Sequence, residues 1–186
     1  LWATTGDESC LRDFEKRVAE FDYKIEENWD WSNVSNLAMY SYALSSRKGK
    51  NTEAEAAIKK NIIANADALV EKAEADVYSR ALGGRYYWGC NGTIARQTVN
   101  LQVANLIQPN PKYKKAAIGI VDHIFGKNYY NRSYVTGLGI NPPMFPHDRR
   151  SGADSIDAPW PGYLVGGGHS ATDWVDKQES YSHNEI

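Results

Sequence analysis

The stretch NPKYKKAAIGIVDHIFG, residues 110–126, carries every mark of one helix. Asn110 is a good N-cap, and Pro111 suits the first helical position, where no N–H is needed. Tyr113, Ala116, Ala117, Ile120, Val121, Ile124 and Phe125 recur at steps of three and four, which gives a continuous apolar stripe. Gly126 suits the stop. Helical periodicity, with no sustained two-residue alternation anywhere, predicts an all-α fold.

Working outward, the segment before it predicts a helix over about residues 93–107. It is apolar around much of its circumference, as expected for burial on more than one side. Further upstream, Thr52 and Glu55 form a capping-box pattern, followed by Ile58, Ile62, Ala66, Leu69 and Ala73 on one face. Ser32 is the expected cap of a helix carrying Val34, Leu37, Ala38 and Tyr42. Asp7 is the expected cap of one carrying Leu11, Phe14, Val18 and Phe21. Residues 1–5 look like the end of a helix already under way, stopped by Gly6. The expectation is five helices joined by loops over about residues 1–125.

Downstream the pattern breaks. Residues 126–173 hold eight of the 15 glycines and five of the seven prolines, with no helix of useful length. They are also rich in Tyr, Trp, Ile, Leu and Val, which argues for an ordered loop region that presents side chains. Ser182 and Glu185 then form another capping-box pattern, so a further helix is expected to begin where the chain ends. Both ends therefore read as cut.

Composition narrows the classes of function. The 186 residues have a formal net charge of −2, which offers no electrostatic case for nucleic acid or an anionic membrane. No apolar run approaches the roughly 18 residues of a membrane span, and no leader peptide is visible. Cys10 and Cys90 make neither a disulfide framework nor a metal knuckle, and their pairing is left open. His123, His147, His169 and His183 lack metal-ligand spacing, so no metal site is expected. Six Trp and 12 Tyr against four Phe favour surfaces that grip something flat and polar-edged, although core packing accounts for many of them.

The best cluster of chemical groups lies in the last third. His147, Asp148, Arg149, Arg150 and Asp154 share a Pro/Gly-held loop with Trp160 nearby, and Trp174, Asp176, Tyr181 and Glu185 follow. A protonated and an ionised carboxyl group together suit hydrolysis of a sugar acetal, and aromatic faces suit a pyranose. By spacing alone, Asp176 and Glu185 read equally as helix caps. The charges of residues 147–154 read equally as a solvated loop with local ion pairs to Asp148 and Asp154.

SYVTGLGINPPMFPHDR, residues 133–149, resembles the first diagnostic motif of glycoside hydrolase family 9. WVDKQESYSHNE, residues 174–185, resembles the second. WATTGDES at residues 2–9, the Trp29–Asp30–Trp31 segment and YYWGCNG at residues 86–92 also look like parts of this catalytic domain. The resemblance covers essentially all 186 residues. It implies a partial (α/α)6 barrel, about half of the six-hairpin toroid, with a helical part near residues 1–125 and cleft-forming loops near 126–186. It also implies an inverting hydrolase of β-1,4-glucan.

Carried onto this sequence, Glu185 would be the general acid. His147 and Asp176 would take the other motif positions counted as catalytic. Arg149, Trp88, Tyr181 and Trp31 would contact the glucan. The family's base lies in an Asp-rich motif that this sequence lacks, so the base is expected outside it and the isolated chain is expected to be inactive. No cofactor is implied for the chemistry. A structural calcium and accessory carbohydrate-binding modules are compatible with the complete protein, and a polymeric substrate implies secretion. The alternative is a non-catalytic glycan-binding helical protein that keeps the cleft without the base.

Overall fold

A computed structural model describes residues 1–83, 87–146 and 148–167. Seven helices occur among them: α1 (Trp2–Thr5), α2 (Glu8–Glu20), α3 (Ser35–Leu44), α4 (Thr52–Ala75), α5 (Cys90–Ile107), α6 (Pro111–Ile124) and α7 (Arg149–Ala153). The only extended pairings among the described residues are two isolated bridges, Asp30 with Asn33 and Val135 with Leu164. The all-α expectation is met, and α2 to α6 are the five expected helices.

The ends of these helices follow from local chemistry. Asn110 caps α6, its side chain accepting from the Lys112 N–H at 3.0 Å, with Pro111 at the first position. Asp7 caps α2 through the Ser9 N–H at 2.8 Å, and Gly6 ends α1 in the left-handed region at φ 81°. Two expected caps are corrected. The cap of α4 is Asn51, which accepts from the Glu53 and Ala54 N–H groups at 2.9 and 3.0 Å, while Glu55 pairs with Lys50 and Lys59. Ser32 does not cap α3, because its hydroxyl donates to Asp30 at 2.6 Å and the helix begins three residues later. The helix expected from about residue 93 starts earlier, at Cys90, directly after left-handed Gly89 at φ 87°.

Helices α4, α5 and α6 pack on one another, α3 packs on α4, and α1 on α2. Ile58, Ile62 and Leu69 of α4, Ile94 and Leu101 of α5, and Tyr113 and Ile120 of α6 are almost wholly buried. Burying side chains of this size stabilises the fold by about 1.5–3 kcal/mol each before entropy is counted. Cys10 and Cys90 are not joined in a disulfide.

Polar ties through this core aim the loops. Asn100 of α5 accepts from the Trp29 indole at 3.0 Å and from the Tyr40 hydroxyl, and donates to Asn65 of α4 at 3.1 Å. Asn36 of α3 donates to the Glu26 carbonyl at 2.7 Å and accepts from the Glu26 N–H at 2.9 Å. Together they fix both ends of the 26–29 segment, and so the start of the loop that carries Trp31.

Candidate active site

Two walls build one cleft. The first wall comes from the loop at residues 30–31 and the start of α5. Arg96 of α5 donates its Nε hydrogen to the Trp29 carbonyl at 2.6 Å, and its guanidinium lies 5.9 Å from the Trp29 ring centre. Gly92, one turn earlier, gives Arg96 room, since a Cβ there would lie 3.2 Å from Nη1. The lever from α5 to the loop leaves Trp31 90% exposed and Trp88 49% exposed at the cleft. An exposed indole combines a flat apolar face with a polar edge, which suits a sugar ligand.

The second wall comes from residues 146 and 148–166, and it is positioned by the stretch 133–137 that follows α6. Tyr134 donates its N–H to the Ile124 carbonyl at 2.9 Å, so this segment leaves the end of α6 in a fixed direction. Thr136 then donates its N–H to the Tyr163 carbonyl, and the Thr136 hydroxyl accepts from the Tyr163 N–H, both at 2.9 Å. Gly137, at φ 67°, passes so close to Pro161 that a Cβ would lie 2.7 Å from that ring. The loop ends against α5, where the Asn91 N–H donates to the Gly166 carbonyl at 2.9 Å.

Between the walls lies a space of about 520 Å³ whose lining includes Asp30, Trp31, Trp88, Asp148, Arg150 and Tyr163. Asp148 caps α7 and accepts from the Ser151 N–H at 3.1 Å and from Arg150 Nε at 3.1 Å. Desolvation pushes its carboxyl up, but the Ser151 backbone, Arg150 and the Ser151 hydroxyl together hold it below the usual carboxylate range. Asp30 is lowered too, first by the Ser32 hydroxyl and then by the Ser32 N–H. Both carboxylates are ionised near neutral pH. They can accept hydrogen bonds from hydroxyl groups but are poor proton donors.

Of the residues expected to form the site, Trp88 and Trp31 line the cleft. Arg149 stands exposed at the first position of α7, and its neighbour Arg150 lines the cleft together with Arg96 of the first wall. Asp154 takes no ion pair with these arginines; it accepts from the Trp160 indole at 2.7 Å. His147, Asp176, Tyr181 and Glu185 lie outside the described residues. Asp30, Arg96 and Tyr163 were not expected. Only Asp30, set between two tryptophans, carried a sequence signal. Among the described residues no group of three His, Cys, Asp or Glu side chains comes together to hold a metal ion.

The sequence profile described as Glycosyl hydrolase family 9 matches residues 1–186. The chain belongs to this family. It is 59% identical over its whole length to Endoglucanase D of Acetivibrio thermocellus, of which it covers 30%. It is 30% identical over 84% of its length to a xyloglucan-specific endo-beta-1,4-glucanase of Bacteroides ovatus, again covering 30% of that protein. Among solved structures, a metagenome-derived family 9 endoglucanase superposes with a TM-score of 0.82 at 29% identity, over 99% of this chain and 35% of that one. The family 9 chain thus spans about a third of these relatives, and its helices form a portion of the (α/α)6 barrel.

Proposed function

We propose that this chain is part of a catalytic domain that hydrolyses β-1,4-glucosidic bonds in cellulose or a related β-glucan. The observation that carries this reading is the cleft. Two exposed indoles share it with two ionised carboxylates and two arginines, which is the mixture of flat apolar and hydrogen-bonding groups that a glucan chain requires. Membership of family 9 and the whole-length identity to an endoglucanase support it.

The mechanism is single displacement with inversion. The proton for the leaving oxygen comes from the glutamate of the second family motif, while Asp30 and Asp148, both held below the usual carboxylate range, are poor donors. Glu185 takes that role. The base that activates water lies outside this chain, about 6.5–9.5 Å from the acid across the scissile bond. His147 and Asp176 complete the motif positions around the reacting sugar, and Arg149, Trp88, Tyr181 and Trp31 hold the glucan. A polymeric substrate places such an enzyme outside the cell, in polysaccharide degradation, with accessory carbohydrate-binding modules as companions.

The test exchanges residues 1–186 for the aligned segment of Endoglucanase D and measures release of reducing sugar from amorphous cellulose. The expected result is turnover that Glu185→Gln abolishes while cello-oligosaccharide binding persists. Binding without turnover in the unsubstituted graft favours the non-catalytic glycan-binding alternative. Unchanged turnover in the Glu185→Gln graft removes the acid assignment.

A further inference from the structure

Arg150 is held more firmly than a side chain so exposed normally would be. Its side chain is 64% exposed, yet three groups fix it. Nε donates to Asp148 at 3.1 Å, and Nη2 donates to the Tyr163 hydroxyl at 2.8 Å. The guanidinium also lies over two rings, 5.4 Å from the Trp160 centroid and 5.5 Å from that of Tyr163. Trp160 is itself tied to Asp154, and Asp148 to the first turn of α7. The planar fork is therefore oriented before any ligand arrives, so ordering it on binding costs little further entropy.

Two of its five N–H donors are engaged by Asp148 and Tyr163, and Nη1 makes no hydrogen bond among the described residues. Arg150 lines the same cleft as Trp31 and Trp88. The ionised Asp148 beside it offers acceptor capacity at the same wall. A preset donor pair next to a carboxylate matches vicinal sugar hydroxyls, each of which both donates and accepts.

We propose that Arg150 is a substrate-binding residue of the cleft, donating from Nη1 to hydroxyl groups of a glucosyl unit, with Tyr163 as the residue that positions it. The assignment rests on the β-glucan reading above. It adds to that reading a specificity for sugar units whose vicinal hydroxyls are unsubstituted, since a substituted oxygen can no longer donate to Asp148. Lysine cannot replace the arginine, because one ammonium cannot hold Asp148 and Tyr163 and still present a fixed pair of donors.

The test uses cellohexaose hydrolysis by the graft that carries residues 1–186. Arg150→Met is expected to raise KM about tenfold with kcat nearly unchanged, as removal of uniform binding does. Arg150→Lys is expected to give little recovery. Tyr163→Phe, which keeps the ring and loses the hydroxyl, is expected to raise KM by a smaller factor. Thermal midpoints of all three should match the unsubstituted graft. An unchanged KM in Arg150→Met, or a fall in kcat alone, overturns the role of Arg150 and leaves the glucanase reading standing. A KM increase that follows a lowered thermal midpoint in both Arg150 variants overturns it too, because it assigns the arginine to folding. If the unsubstituted graft turns over no glucan, the glucanase reading fails and this assignment fails with it.

Discussion

A Cβ placed on Gly167 would lie 2.7 Å from the side-chain amide carbon of Asn91. The same atom would meet the Cys90 sulfur at 2.7 Å, and Gly167 already has φ at 101°. No flexible chain end is available to yield, since Asn91 is buried and its Nδ2 donates to the Val165 carbonyl at 3.2 Å. Gly167→Ala is therefore expected to lower stability by about 1–3 kcal/mol, from steric overlap and left-handed strain together. Urea denaturation measures this, and coincident curves for the two proteins would show that the loop has other room.

Asn100 serves Trp29, Tyr40 and Asn65 at once. Asn100→Leu keeps the branched shape and the number of side-chain heavy atoms but leaves the buried Trp29 indole and the Tyr40 hydroxyl without that acceptor. A cost of about 2–4 kcal/mol is expected, above that of an ordinary neutral hydrogen bond, because buried polar groups are orphaned. The denaturation midpoint reads the cost, and a shift in Trp29 fluorescence reads the release of the loop. A midpoint within error of the unsubstituted chain would remove the hub from the description of the core.

His123 makes stability depend on acidity. Its ring is 5% exposed, lies among Tyr78, Tyr134, Arg80 and Asp76, and leaves Nδ1 without a hydrogen bond among the described residues. Burial, reinforced by the Arg80 charge and opposed by Asp76, pushes its pKa down from 6.5 to about 4. The folded state thus prefers the neutral ring. Above pH 6.5 this preference costs nothing, and as pH falls from 6.5 towards about 4 the unfolded chain binds the proton first. The loss over that window is on the order of 3 kcal/mol. Urea midpoints at pH 7 and pH 4.5 test it, and His123→Gln should flatten the difference. An equal slope in both proteins would assign the acid sensitivity elsewhere.

Trp88 and Trp31 are exposed enough to be altered without disturbing the core. Alanine at either position is expected to weaken cello-oligosaccharide binding by about tenfold, or roughly 1.4 kcal/mol, with little change in melting temperature. Fluorescence titration with cellohexaose gives the affinities. Equal affinity in both variants would move the glucan off the first wall.

The helices were largely legible because their signals are local. Asn110, Pro111 and the apolar stripe of α6 lie within one short stretch and agree with one another. The caps at Ser32 and Thr52 were misread because a competing acceptor or a better neighbour sits one or two residues away. Asp30 takes the Ser32 hydroxyl, and Asn51 precedes Thr52. The cleft was legible in part. Trp88 and the arginines stand in conspicuous motifs, whereas Arg96 reaches the Trp29 carbonyl across 67 residues of sequence. Tyr163 acquires a role only because the 133–136 and 160–165 strips lie side by side, and no periodicity announces such a pairing.

That pairing also has a consequence for how the protein breathes. The amides of Thr136, Gly162 and Val165 all donate across the join between these strips, to Tyr163, Thr136 and Tyr134 in turn. None of the three can meet solvent unless the strips part. In deuterated water they should show one shared protection factor, higher than that of the neighbouring turns, as expected if the wall of the cleft opens as a single shutter.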